Sequence, residues 1–252
     1  MEKLKKIIDT VEAFAPMSLK EEYDTPGLHV GSFKDSIKRV LVSLNVTKDV
    51  LNEAIDKNCQ LIISHHPAIF GEEIVDVYTQ DIINIAKKEH IALYSAHTNL
   101  DSAKGGINDK LCDILNISCE SNDLKPYRVG YLQEDITLKQ LIKIVSKSLK
   151  DNKIKSVGDL DKKVKKVIVS SGAGARDDDL LEYAKDIKAD VIIGGESKIS
   201  IALKMKAYGV SLIEVGHYES EIICMDILKN VLEDGLKIKV FKSKKDVSPY
   251  NK

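Results

Sequence analysis

Short aliphatic runs that stop abruptly at polar residues set the rhythm of this chain. Segments 39–44 (RVLVSL), 61–64 (LIIS), 91–95 (IALYS), 164–170, 191–193 and 210–215 are aliphatic or β-branched and too short for helices, so each reads as a buried strand. Between them the apolar positions recur at helical spacing. Val50, Leu51, Ala54 and Ile55 mark one face of a helix over 48–58, with Thr47 placed to cap it. Further helices are predicted over 82–90, 138–149, 178–187, 199–207 and 221–232, and Ile107, Leu111 and Leu115 are spaced by four on another. Leu4, Ile7, Ile8, Val11 and Phe14 form the stripe of an amphipathic first helix. Ser18 and Glu21 have capping-box spacing for a short turn after it. Segments 129–133, 154–158 and 236–241 read as extended, and the lysine-rich tail reads as a solvated face. Strands alternating with helices throughout place the chain in the α/β class.

The pattern repeats loosely within the chain. RVLVS (39–43) resembles KVIVS (166–170), and 51–63 aligns without gaps on 181–193, which sets His65 and His66 opposite Gly195 and Glu196. IALYS before His97 parallels VSLIEV before His217. Polar, aperiodic 120–125 is the expected boundary. It would give a first α/β lobe over 1–125 and a second over 126–252, with the C-terminal segment a candidate to pack back on the first lobe. Two related lobes with mixed sheets could converge their strand ends on one cleft.

Composition narrows the function classes. The 252 residues and 43% hydrophobic content are ample for a core. Lysine plus arginine (38) balance aspartate plus glutamate (39), so no strong positive field recruits nucleic acid. No apolar run approaches a membrane span. The N-terminal stretch mixes both charge signs and is not a signal peptide. Four cysteines lack a CxxC pair, and Cys59 and Cys224 lie in apolar segments, as expected for reduced thiols in a cytoplasmic protein.

The chemistry concentrates where strands end. In LIISHHPAIF, Pro67 has no N–H for a ladder and holds His66 away from helical angles, so two imidazoles stand side by side at a strand terminus, where open α/β sheets bind ligands. His97 and His217 also follow predicted strands, each with a carboxylate four residues later, Asp101 and Glu221. Singly, each motif also reads as structure: HTNLD and GHYESE suit capped helix starts, and His29 suits a core or solvated position. Together they form an imidazole and carboxylate set suited to Zn²⁺, Fe²⁺, Mn²⁺ or Co²⁺. The absence of thiolate ligands argues against a structural zinc knot. Five or six ligands exceed one tetrahedral ion, so two ions sharing a carboxylate and an acidified water are the economical arrangement, and its chemistry is hydrolysis. SGAGA (171–175) lacks the GK[ST] of a P-loop and the full dinucleotide fingerprint.

GLHVG, LIISHHP, AHTNLD, GGES and EVGHYESE together resemble the NGG-interacting-factor-like family of dinuclear-metal proteins, many of which carry the name GTP cyclohydrolase 1 type 2 homolog. The resemblance runs from Asp24 to Glu221. It implies a two-lobed fold and a toroidal homohexamer, a trimer of dimers, with metal sites facing an inner cavity. It also implies that His65, His66, Asp101, His217 and Glu221 hold two divalent ions, Glu221 bridging them, and that His97 beside them serves as acid or base. The implied substrate is a small nucleotide-like molecule, GTP being the candidate, with opening of the imidazole ring and release of formate. The competing reading is a non-catalytic metal-binding ring that docks a protein or nucleic-acid partner. The chain departs from the family pattern at Asn45, where aspartate is common, and at Lys198-Ile-Ser200, where a histidine is common.

Overall fold

Two parallel three-stranded cores carry the chain, each in its own unit. The structure is a computed structural model that describes residues 1–71, 76–119, 125–150 and 153–250. One unit comprises Met1–Ala103 with Ile222–Lys252, the other Lys104–Glu221. Of the boundary expected at 120–125, residues 120–124 lie outside the described residues.

In the first unit Arg39–Ser43, Leu61–Ser64 and Ala92–Ser95 pair in parallel, in register Val40 with Leu61 and Leu61 with Ala92. Lys239–Lys242 adds a parallel strand beside Arg39–Ser43, and Gly27–Val30 closes the other edge antiparallel. The sheet is covered on both faces, which is why its strands read as unbroken apolar runs and not as alternation. Leu41, Ile62 and Leu93 pack with Val50, Leu51 and Ala54 of helix Lys48–Asp56 and with Ile82, Ile83 and Ala86 of helix Val77–Lys88. Helices Leu4–Phe14 and Cys224–Gly235 pack together, the latter also against the Arg39–Ser43 strand. Thr47 caps its helix through the Val50 amide, as the sequence predicts. Helix Val77–Lys88 begins earlier than expected because Asp76 caps it through Thr79, while Val77 and Tyr78 are exposed and give no apolar signal.

Two local expectations are corrected here. Ser18 does not start a capping box; it lies inside a 3₁₀ turn, Met17–Leu19, entered through extended Pro16, and the Glu21 amide is bound by the Thr98 hydroxyl instead. Nor is the lysine-rich tail simply a solvated face. Once Lys239–Lys242 has paired with the sheet, Ser243 meets the buried Glu53 carboxylate, which accepts the Ser243 hydroxyl at 2.6 Å and the Lys244 and Lys245 amides at 3.0 and 3.2 Å. Those bonds, with the cationic Lys57 beside Glu53, hold its pKa below the usual value although burial works the other way.

In the second unit Lys163–Ser170, Val191–Gly194 and Ser211–Glu214 are parallel. Arg128–Thr137 and Ser118–Cys119 extend one side antiparallel, and Lys155–Val157 the other. Ile168, Ile192 and Leu212 pack with Leu180, Leu181 and Ala184 of helix Asp178–Asp186 and with Ile201 and Met205 of helix Ile199–Tyr208. Helix Ile107–Leu115 ends at Asn116 in the left-handed conformation, which turns the chain back so that Cys119 bonds Cys112 in a disulfide. Thus two of the four cysteines form this disulfide, and Cys59 and Cys224 are buried outside it.

The ladders give the internal repeat a register. Leu61 and Val191 open equivalent central strands, so His65 corresponds to Gly195 and His66 to Glu196, as the sequence alignment implies. The third strands shift the other comparison by one residue. Ser95 corresponds to Glu214 and the short helices begin at Thr98 and His217, so His97 corresponds to Gly216 and not to His217. Among the described residues no helix is long and apolar enough to cross a membrane.

Candidate metal centre

In the first unit three adjacent parallel strands release their side chains at one end of the sheet. The ladder runs just past the strands: the amides of His65 and His66 donate to Ser43 and Leu44, and the Ala96 amide donates to Ser64. Pro67 ends the run, and the Ser64 hydroxyl holds the His66 carbonyl at 2.7 Å. His65, His66 and His97 therefore gather, with ring centroids 5.0 to 5.5 Å apart. Each offers one ring nitrogen, and the three nitrogens lie within 4.8 Å of one another.

Each ring is held by its Nδ1. His65 Nδ1 is 2.9 Å from the Ala96 carbonyl, which can only accept, so Nδ1 carries the hydrogen and the lone pair sits on Nε2. His66 Nδ1 is 2.8 Å from Asn45 Oδ1, and His97 Nδ1 is 2.8 Å from Asp24 Oδ1. Imidazoles that bind metals are oriented by such bonds to their other nitrogen. Asp101 is buried in the short helix Thr98–Ser102, its Oδ1 3.7 Å from His65 Nε2. Asn99 steadies the start of that helix, accepting the His97 amide and donating to the Ala15 carbonyl.

Asp24 is the anchor that sequence reasoning missed. It is only 1% exposed and accepts His97 Nδ1, the Thr98 amide and the Thr98 hydroxyl. Burial pushes its pKa up, but the bond to His97, the charge of that ring when protonated, and the two Thr98 bonds outweigh it and bring the pKa down to about 2. The one signal available was a carboxylate in the Pro/Gly-punctuated loop before GLHVG. His29 proves structural. Its Nε2 meets the Ser95 hydroxyl at 3.0 Å, and burial lowers its pKa against the opposing charge of Asp24.

The second unit has a donor pair of its own beyond the C-terminal ends of its parallel strands. His217 and Glu221 lie on one short helix, with Nε2 and Oε2 3.0 Å apart, and His217 Nδ1 is 3.5 Å from Glu196 Oε1. Burial lowers the His217 pKa, but the bond to Glu221 and the two carboxylate charges prevail and raise it above the usual imidazole value. Glycines cradle this pair. At Gly172, φ is +54° and a Cβ would lie 1.9 Å from Glu221 Oε1 and 3.2 Å from His217 Nε2. A Cβ at Gly195 would strike the Gly172 backbone at 2.3 Å. Ser220 ties the loops together, accepting the Gly172 amide and donating to the His217 carbonyl. The SGAGA and GGES segments are therefore close-approach loops around an acid, which their lack of a phosphate-binding signature left unexplained.

A family model described as Duf34/NIF3 (NGG1p interacting factor 3) matches residues 2–249. A Clostridium acetobutylicum protein named "GTP cyclohydrolase 1 type 2 homolog" is 34% identical, with 98% of each chain covered. A Staphylococcus aureus protein of solved structure superposes with a TM-score of 0.88 at 24% identity over 99% of both chains, a likeness of fold. Reduced HcgD from Methanocaldococcus jannaschii superposes with a TM-score of 0.84 at 26% identity, covering 96% of this chain and 97% of that one.

Proposed function

We propose that this chain, which belongs to the Duf34/NIF3 family, is a dinuclear metal-dependent hydrolase of a small nucleotide-like substrate. The observation that carries this reading is the trio His65, His66 and His97, with every Nδ1 held by an acceptor and the ring nitrogens gathered within 4.8 Å. Neutral imidazoles beside carboxylates, without thiolates, fit a borderline divalent ion such as Zn²⁺, Fe²⁺, Mn²⁺ or Co²⁺. In this reading the metal ligands are His65, His66 and Asp101 in the first unit and His217 and Glu221 in the second. Such ions, when bound, supply an acidified water and positive charge against a developing oxyanion.

The chain's own residues supply the rest. Asp24 holds the His97 Nδ1 hydrogen, which leaves Nε2 to take up a proton from the attacking water and return it to the leaving nitrogen. Burial of His65 and Asp101 keeps bulk water away from one side of the site and strengthens its electrostatics. The name shared by the relatives suggests GTP, with hydrolytic opening of the guanine imidazole ring and loss of its C8 as formate. A homohexamer, a trimer of dimers, is the assembly that goes with this reading.

The test begins with elemental analysis of the purified protein, which should find up to two transition-metal ions per chain. Incubation with GTP, or failing that with a panel of nucleotides, phosphoesters and amides, should then give turnover that His66→Ala and Asp101→Ala abolish while the circular dichroism stays unchanged. Metal without turnover of any of these, and loss of assembly in the same variants, would leave the scaffold reading in its place.

A further inference from the structure

The C-terminal tail carries a carboxylate to the end of the first unit's sheet where His65 and His66 stand. Glu53 gathers the Ser243–Lys245 turn, and the Ser243 hydroxyl accepts the Asp246 amide at 3.1 Å. Asp246 is 5% exposed. Its Oδ2 accepts the backbone amides of Leu44 and Asn45 at 2.5 and 2.7 Å, and its Oδ1 accepts Asn45 Nδ2 at 3.0 Å. Asn45 in turn presents Oδ1 to His66 Nδ1 at 2.8 Å.

We propose that Asp246 is a positioning residue that sets the tautomer of His66 through Asn45. A carboxylate only accepts, so the Asn45 amide must turn its NH₂ toward Asp246 and its oxygen toward His66. His66 then has to donate from Nδ1, and its lone pair stands on Nε2, the nitrogen left to bind a metal. Had the Asn45 amide been reversed, its NH₂ would face Nδ1, and the ring hydrogen would move to Nε2 and block coordination. The two backbone amides on Oδ2 fix the carboxylate itself, so the polarity of the whole chain of bonds starts at the sheet end and cannot invert locally. The value of this relay for metal binding rests on His66 being a ligand; the tautomer assignment does not.

Two substitutions at the ends of the relay separate this role from simple structural support. In Asp246→Asn the new side-chain oxygen keeps the two backbone amides, so its NH₂ faces Asn45. The Asn45 amide then reverses, and His66 becomes an Nε2–H tautomer. In the double variant Asn45→Asp, Asp246→Asn the order of acceptor and donor is exchanged. The carboxylate now at position 45 would accept from the amide at position 246 with one oxygen and from His66 Nδ1–H with the other, which restores the original tautomer.

The readout is the side-chain ¹⁵N chemical shifts of His66 in metal-free full-length protein, about two pH units above the reference imidazole pKa. Zn²⁺ affinity is measured in parallel by competition with a chromophoric chelator. The parent should be Nδ1–H, Asp246→Asn should be Nε2–H with Zn²⁺ affinity down roughly 10- to 100-fold, and the double variant should recover both. An unchanged His66 tautomer in Asp246→Asn, or a double variant no better than the single one, overturns the proposal. Should Asp246→Asn unfold the tail, recovery in the double variant still decides the matter. A tautomer switch without any change in Zn²⁺ affinity would uphold the relay and count against His66 as a ligand.

Discussion

Asp24→Asn tests the buried acid that holds His97 in the candidate centre. The carboxylate is buried and accepts three bonds from His97 and Thr98, and its pKa falls from 3.8 to about 2. At about 1.4 kcal/mol per tenfold change, that drop corresponds to about 2 kcal/mol of pH-dependent stability. The sign follows from the direction. A pKa depressed in the folded state stabilises the protein above the unfolded value near 3.8 and loses that contribution as pH falls toward 2. Roughly 1 kcal/mol of it should be gone by about pH 3. Urea unfolding of parent and variant at a series of pH values between about 6 and 3 measures this, because groups not coupled to position 24 cancel in the difference, and what remains is the titration of Asp24 together with its partner His97. The stability gap between them should narrow by about 1 kcal/mol over that range. A gap that stays constant, or widens in acid, would mean that Asp24 does not titrate far below the ordinary carboxylate range, and that its grip on His97 is weaker than the geometry implies.

Two further outcomes are expected. Gly172→Ala places a Cβ 1.9 Å from Glu221 Oε1 at a φ of +54°; it should cost about 1–2 kcal/mol in left-handed backbone strain, seen in a thermal melt, and displace Glu221 enough to lower Zn²⁺ affinity at least about tenfold. For the cysteines, a thiol count on unreduced, denatured protein should find Cys59 and Cys224 but neither Cys112 nor Cys119. Reduction should lower stability by about 2 kcal/mol, given the short loop the bond closes.

Much of the candidate site was legible because its residues sit where local rules change. A strand that ends at a proline must release its last side chains, so His65 and His66 announced themselves through LIISHHP. His97, Asp101, His217 and Glu221 stood out in the same way, each in a polar motif after an aliphatic run, and the structure puts both pairs at short helices beyond parallel strands. The apolar runs pointed to the α/β class, since continuous aliphatic runs too short for helices suit strands covered on both faces, and helical periodicity lies between them. The failures came where meaning depends on a partner far along the chain. Ser18 has the right neighbour for a capping box, yet Pro16 and Thr98 decide the local structure. Asp246 looks like one more tail charge until Lys239–Lys242 pairs with the sheet and Glu53 takes hold of Ser243.

By itself, then, the order of residues determined which side chains could serve as ligands and which strand ends would present them, because periodicity and chain breaks act over a few residues. Only the tertiary structure decided how those side chains are held. Asp24 for His97, Ala96 for His65, and Asp246 acting through Asn45 for His66 are choices of hydrogen-bond partner across as many as 201 positions of sequence. The physical reason is that a tautomer or a carboxylate's proton is set by whatever donor or acceptor lies about 3 Å away in space, and no spacing along the chain encodes that distance.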